Sequence, residues 1–376
     1  MHTIFRIAAA LALTGASLPA LGASATATRS WQFKPGANAG LTVRNLIGNV
    51  RVERGTTPGI HVTASTAIDA ASQAEADRLI KLVEFRTSDA AAGSRFDVRL
   101  PREHFPKIYW EKGASAWYSL SYVEHLGERI RLSGSRGEAP EVRVDLVIRA
   151  PAGATLAVHN RFGDASAEGY AGTLRLEGGS GQLTSTGGEG EVTLDNGSGA
   201  VVVSRHRGRV VADTGSGAVR ISDCQCEIIA DTGSGSVDIV RGSGSVSADT
   251  GSGGVQVADY AGPFSADTGS GSVNARGLTD VRSLEADTGS GSVSVEGDLS
   301  ALARVTIETG SGSVKLRSTA QPSMELRIDT GSGGVDVSAP GSSVREKDDV
   351  TYVRMRDSTH DGVIDTGSGS VTVDFR

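Results

Sequence analysis

Asp-Thr-Gly-Ser is the pattern around the catalytic carboxylate of aspartic proteases, where two such Asp side chains share one proton and activate water. In this 376-residue chain the pattern, extended to Asp-Thr-Gly-Ser-Gly, opens at Asp213, Asp231, Asp249, Asp267, Asp287, Asp329 and Asp365, and Glu308 opens a variant copy. A protease needs two copies on facing lobes, whereas seven strict copies at a near-regular interval describe a structural turn. Stacked in register, the carboxylates would stand ~4.8 Å apart and repel by roughly 0.9 kcal/mol per pair in water. Each Asp is therefore expected to accept hydrogen bonds from the backbone N–H groups of its own Thr-Gly-Ser turn. A cation ladder is the sharper alternative. Calcium solenoids, however, place Asp after a Gly-Gly-x-Gly-x stretch, and here Asp precedes the glycines. Thr214, Thr232, Thr250 and Thr268 would stack likewise and link hydroxyls from coil to coil.

The remaining reactive residues are sparse. Cys224 and Cys226 fall where neighbouring repeats carry the corner residues Gly242 and Gly244, or Tyr260 and Gly262. The pair could be idle, close a small local disulfide, act as a redox couple or supply half a metal site. A metal site needs further ligands at set spacings, and none is evident. The seven His, at 2, 61, 104, 125, 159, 206 and 360, do not cluster in sequence. The Gly-Ser-Gly corners lack the Lys and the following helix of a nucleotide loop. No catalytic residue, metal or cofactor is expected. Residues 102–138 are different: they hold Phe105, Tyr109, Trp110, Trp117, Tyr118 and Tyr122 in a chain that is only 5% aromatic. Exposed rings of this kind anchor protein or sugar partners. Alternatively they cap the end of a repeat stack against edge pairing.

A repeated element must position these residues. The first four strict turns are 18 residues apart, degenerate copies open at Asp195, Glu177 and His159, and later spacings are 20, 21, 21 and 36. Within one repeat Val237 and Ile239 alternate with polar residues, Gly242 and Gly244 make a corner, and Val246 and Ala248 alternate again. Val255, Val257, Phe264 and Ala266 take the same places in the next repeat, and Val219, Ile221, Ile228 and Ala230 in the one before. Period-two alternation marks strands. A unit this small buries its apolar face only by stacking on neighbours. The expected fold is all-β: a right-handed, β-helix-like solenoid of about ten coils of 18–21 residues, with glycines supplying positive φ at its corners.

Upstream, residues 41–52 and 60–64 read as strands that together form a first coil. Residues 69–83 read as a helix with Asp69 as its cap, and 95–100 and 142–150 as further strands. Residues 344–361, opening with Val344, Arg345, Glu346 and Lys347, read as a charged surface loop. At the start, Arg6, an apolar run to Leu21 and Ala23-Ser24-Ala25 read as a secretory signal with its cleavage site. The organisation expected is thus a signal over 1–25, a strand/helix region over 26–150 capping the stack, and the solenoid over 151–376. The net charge of −7 disfavours nucleic acid, which needs a clustered positive field. No segment is apolar for long enough to span a bilayer as a helix.

The signal, PGANAGLTVRNLIGNVRV at 35–52, VDLVIRAPAGATLAVHNRFGDASAEGYAG at 144–172 and the run of DTGSG turns together resemble the DUF4097 family of adhesin-like proteins. That resemblance covers nearly all of the mature chain and implies a cell-envelope protein with a β-helix-like fold and no catalytic residues to carry over. The reading is an exported, non-enzymatic scaffold, periplasmic or extracellular, that presents a surface to a protein or polysaccharide. A self-assembling envelope structural or stress component is the alternative. An enzyme acting on polysaccharide is a minor one, because it would need Asp, Arg or Lys clustered on one solenoid face.

Overall fold

The computed structural model describes residues 23–34, 40–90, 93–110, 122–133, 135 and 137–376. Residues 1–22 of the expected signal, and Trp117 and Tyr118, lie outside these. The chain is all-β, a β-solenoid with two strands per coil, and it divides into two compact units, one ending at Asp195 and one beginning at Asn196.

In the second unit each coil is one turn of the repeat. Val237–Ser243 and Val246–Thr250 form one coil, and Val255–Ala261 and Phe264–Thr268 the next, paired parallel and in register. Val237, Ile239, Val246 and Ala248 point inward and are buried, as are their counterparts Val255, Val257, Phe264 and Ala266. The preceding strand, Val219–Thr232, runs unbroken round a corner and serves both faces of its coil.

The two corners obey different rules, and only one uses glycine for the positive φ that was expected. At one corner positive φ is shared by charged residues and glycines: Arg205, Asp223, Arg241 and Asp259 have φ between 51° and 56°, and Gly208, Gly244 and Gly262 have φ of 124°, 122° and 132°. Arg241 offsets part of that strain by gripping Asp223 through two hydrogen bonds of 2.8 and 3.0 Å. The glycines of the Asp-Thr-Gly-Ser-Gly turn are required by proximity instead. A Cβ on Gly253 would overlap the carbonyl oxygen of Gly235 in the coil below, and one on Gly235 that of Gly217.

The C-terminal region departs from sequence order. His360–Thr366 and Val371–Phe375 lie between the coil Arg304–Thr309/Val314–Ser318 and the coil Met324–Thr330/Val335–Ser338. The last coil in sequence is therefore interior in space. Most of residues 344–361 is not a loop: Ser343–Lys347 and Val350–Met355 form an antiparallel hairpin whose second strand pairs with Met324–Thr330. Val353 and Met355, two residues apart and both buried, anchor it there in spite of the charged run that precedes it.

In the first unit Gly40–Ile47 and Val50–Arg54 form a coil that stacks on Thr155–Phe162 and Ala165–Glu168. The other edges of this coil are covered by Gly93–Arg99 and Glu141–Ala150, and the latter leads through Ile60–Ala70 to Ala23–Phe33. The helix is shorter than expected, Gln73–Leu79, and Ser72 caps it by accepting from the Glu75 N–H at 3.2 Å. Asp69 cannot cap because the strand runs on to Ala70, opposite Ala23. Trp31, Phe33, Phe85 and Phe96 pack as one aromatic cluster, with centroids 4.8–6.2 Å apart.

Candidate functional site

The threonine holds the Asp-Thr-Gly-Ser-Gly turn in all the strict copies but the one at Asp329, where, among the described residues, Thr330 bonds only the Gly333 carbonyl of its own turn. The Thr250 hydroxyl donates to the Gly235 carbonyl at 2.9 Å and accepts from the Gly253 N–H at 3.0 Å. Thr214, Thr232, Thr268, Thr288, Thr309 and Thr366 repeat both bonds. The expected hydroxyl-to-hydroxyl chain is replaced by links from hydroxyl to backbone. In the first unit buried Asn45 and Asn160 serve the corresponding turns: Asn160 donates to the Gly48 and Gly163 carbonyls and accepts from Asn45 at 3.1 Å.

With the turn satisfied by Thr, the acidic side chains face out. Asp213, Asp231, Asp249, Asp267, Asp287, Glu308, Asp365 and Asp329 stand on successive strands in register. Burial, and then the charges of Asp231 and Asp267, push the Asp249 carboxyl above its usual range. The equivalent row of the first unit has mixed charge: Asp97, Arg44, His159 and Glu177 follow in register, with Arg44 and Asp97 joined by two 2.6 Å bonds. Among the described residues no group of three or more His, Cys, Asp or Glu is placed to hold a metal ion.

Cys224 and Cys226 both point inward from one strand and are joined as a disulfide, with their Cα atoms 5.5 Å apart. Gly242 and Tyr260 follow Cys224 in register on the next two strands. The Tyr260 ring lies over Gly242, where a Cβ would be 2.7 Å from it, and its hydroxyl reaches the Cys226 carbonyl at 3.2 Å. One large ring thus fills the space left by a glycine and seals the cysteine pair in the core.

Of the rings in the aromatic insertion, Phe105, Tyr109, Trp110 and Tyr122 fall among the described residues. Phe105, Tyr109 and Trp110 are buried, because Lys107–Tyr109 pairs with Glu128–Ser133 and meets Glu141 at the edge of the sheet. Tyr122 is exposed, with the Arg129 guanidinium 4.5 Å from its ring centroid. The described rings act mainly as packing against the end strands.

A second polar row lies on the outward side of the other strand stack. Arg220, Asp238, Gln256, Asn274, Ser294 and Lys315 stand side by side on six successive strands. Nothing in the sequence singles these residues out, since they are ordinary polar residues within alternating strands. Only their register brings them into one row.

No family model and no curated protein matches the chain. Among solved structures it is similar to a "putative cell adhesion protein" of Clostridium sporogenes, at 10% identity and a TM-score of 0.22, over 93% of this chain and 100% of that one. It is also similar to a "putative lipid binding protein" of Parabacteroides distasonis, at 10% identity and a TM-score of 0.31, over 92% of this chain and 96% of that one. Among the described residues no helix is long and apolar enough to cross a membrane.

Proposed function

We propose that this is an exported, non-enzymatic envelope protein of the adhesin-like kind that its sequence resembles, and that its stacked coils hold a recognition surface for an envelope polysaccharide or protein. The observation that carries this reading is the in-register row from Arg220 to Lys315, a polar surface repeating at strand spacing on a framework locked by Thr–backbone bonds. The joined cysteines suit an oxidising compartment, as does the signal-like start of the chain. The test is cell fractionation together with retention of the purified mature protein on isolated envelope polysaccharide. We expect it outside the cytoplasm and retained saturably. A cytoplasmic protein, or one that passes through unretained, would end this reading.

Self-assembly is favoured by one separate observation. Among the described residues Val335–Ser338 pairs only with Val371–Phe375, and Val335 and Val337 are half-exposed where their counterparts in other coils are buried. An unpaired strand edge of this kind templates further pairing. Sedimentation velocity of the protein and of Val337→Lys tests it: a concentration-dependent dimer lost in the variant supports the edge, and a monomer in both removes it.

A further inference from the structure

The outer face of Val237–Ser243, Val255–Ala261 and Val273–Leu278 carries a hollow of about 70 Å³. Val240 and Ala258, opposite each other in register, form its floor, and Asp238, Gln256, Asn274 and Arg276 its rim. Among the described residues the side chains of Gln256, Asn274 and Arg276 make no hydrogen bond or ion pair within the protein. Three uncommitted donors around a small apolar floor are the ingredients of a ligand subsite: a few placed polar groups and a surface to pack on.

A backbone irregularity accounts for Arg276. Ala275 stands opposite Val295 but Leu278 opposite Gly297, so one extra residue bulges at Arg276-Gly277, where Gly277 has φ 63°. Bulges re-aim side chains. Unbroken register would set Arg276 opposite Glu296; instead it has no ion pair and lines the hollow above Ala258. At the diagonally opposite corner Asp238 is held by the Ser236 hydroxyl at 3.2 Å, with Arg220 at 3.9 Å. From strand spacing and rise the two corners are about 12 Å apart. The hollow therefore has a cationic corner, an acidic corner that accepts hydroxyl protons, and two amides between them.

We propose that this hollow is a subsite for an acidic sugar, one uronic acid unit of a polysaccharide. Arg276 takes the carboxylate, since its planar fork matches that geometry. Gln256, Asn274 and Asp238 bond hydroxyls, and the C–H face of the ring rests on Val240 and Ala258. The hollow is shallow and seats one face of a ring, so affinity would come from several units lying along the row. This inference rests on the recognition reading above and gives it a substrate class.

The probe is trigalacturonic acid, titrated by calorimetry into the mature full-length protein, with neutral maltotriose in parallel. Saturable binding of the acidic trisaccharide alone is expected, weakened at least tenfold in Arg276→Gln and abolished in Ala258→Leu, which fills the hollow. Both positions face outward, and an unchanged melting curve establishes that each variant is folded. Equal binding of maltotriose, or full affinity in folded Arg276→Gln, overturns the proposal. If trigalacturonic acid does not bind while envelope polysaccharide still retains the protein, the hollow is wrong and the recognition surface stands. If nothing is retained, both fall.

Discussion

Asp249 and Thr250 are neighbours with opposite effects on stability. Thr250 is buried, and its hydroxyl serves a carbonyl and an N–H of two different coils. In Thr250→Val both backbone groups lose their partner, which costs ~1–3 kcal/mol, while Thr250→Ser keeps the bonds and should stay closer to the parent. A lower Tm for Val than for Ser checks this. Asp249 is exposed in a row of like charges, with its carboxyl pushed upward. A carboxyl that holds its proton more tightly when folded adds stability in acid and loses it as the pH rises through its raised value. Asp249→Asn should therefore raise the Tm at pH 7, and the gain should vanish below the unfolded carboxyl pKa of about 3.9. Added salt should shrink it too. No gain at pH 7 would mean that the row's repulsion is already relieved.

The unit of construction is the turn between two strands, and its glycines divide into two kinds. Gly253 has no room for a Cβ against the Gly235 carbonyl, whereas Gly334 has nothing within 4 Å. Gly253→Ala must push neighbouring coils apart and break bonds on both sides, so a loss of many degrees in Tm is expected. Gly334→Ala should be neutral or gain about 0.4–1 kcal/mol by restricting the unfolded chain. Similar melting of the two variants would show that the coils are less tightly stacked than their backbone contacts require. The same tight stacking explains why Tyr260 spans Gly242 to reach Cys226: a side chain at 242 would occupy the space that the ring crosses.

At the scale of the molecule, the chain order of the coils is not their order in space. Met324–Thr330 and Val335–Ser338 reach the rest of the second unit through His360–Thr366 and Val371–Phe375. Deleting residues 359–376 should therefore strip amide-exchange protection from residues 324–338, far upstream of the cut. Deleting only the hairpin tip at 347–350 should leave that protection in place. Persistent protection in the longer deletion would mean that the 324–338 coil can restack directly on 304–318.

The repeat, its period and the inward rows were legible from the sequence because alternation and glycine spacing are local properties, imposed on every coil by strand geometry. The solenoid and the strands of residues 41–52 followed from them. What Asp and Thr do in the turn was not legible, because either side chain can satisfy a turn N–H. The choice depends on which one faces inward, and only stacking decides that. Whether Phe105, Tyr109 and Trp110 are packed or presented was not legible for a related reason: composition marks them as large and apolar, but burial against Glu128–Ser133 is a tertiary fact. The threading of His360–Phe375 and the hollow beside Arg276 lay further out of reach, since both arise from register between strands distant in sequence or shifted by one residue. By itself the sequence determined that this protein is a β-solenoid with in-register turns, because a period-18 pattern can bury its apolar rows in no other way. The tertiary structure alone decided which coil is interior and which polar side chains meet, because coils of equal period can stack in more than one order.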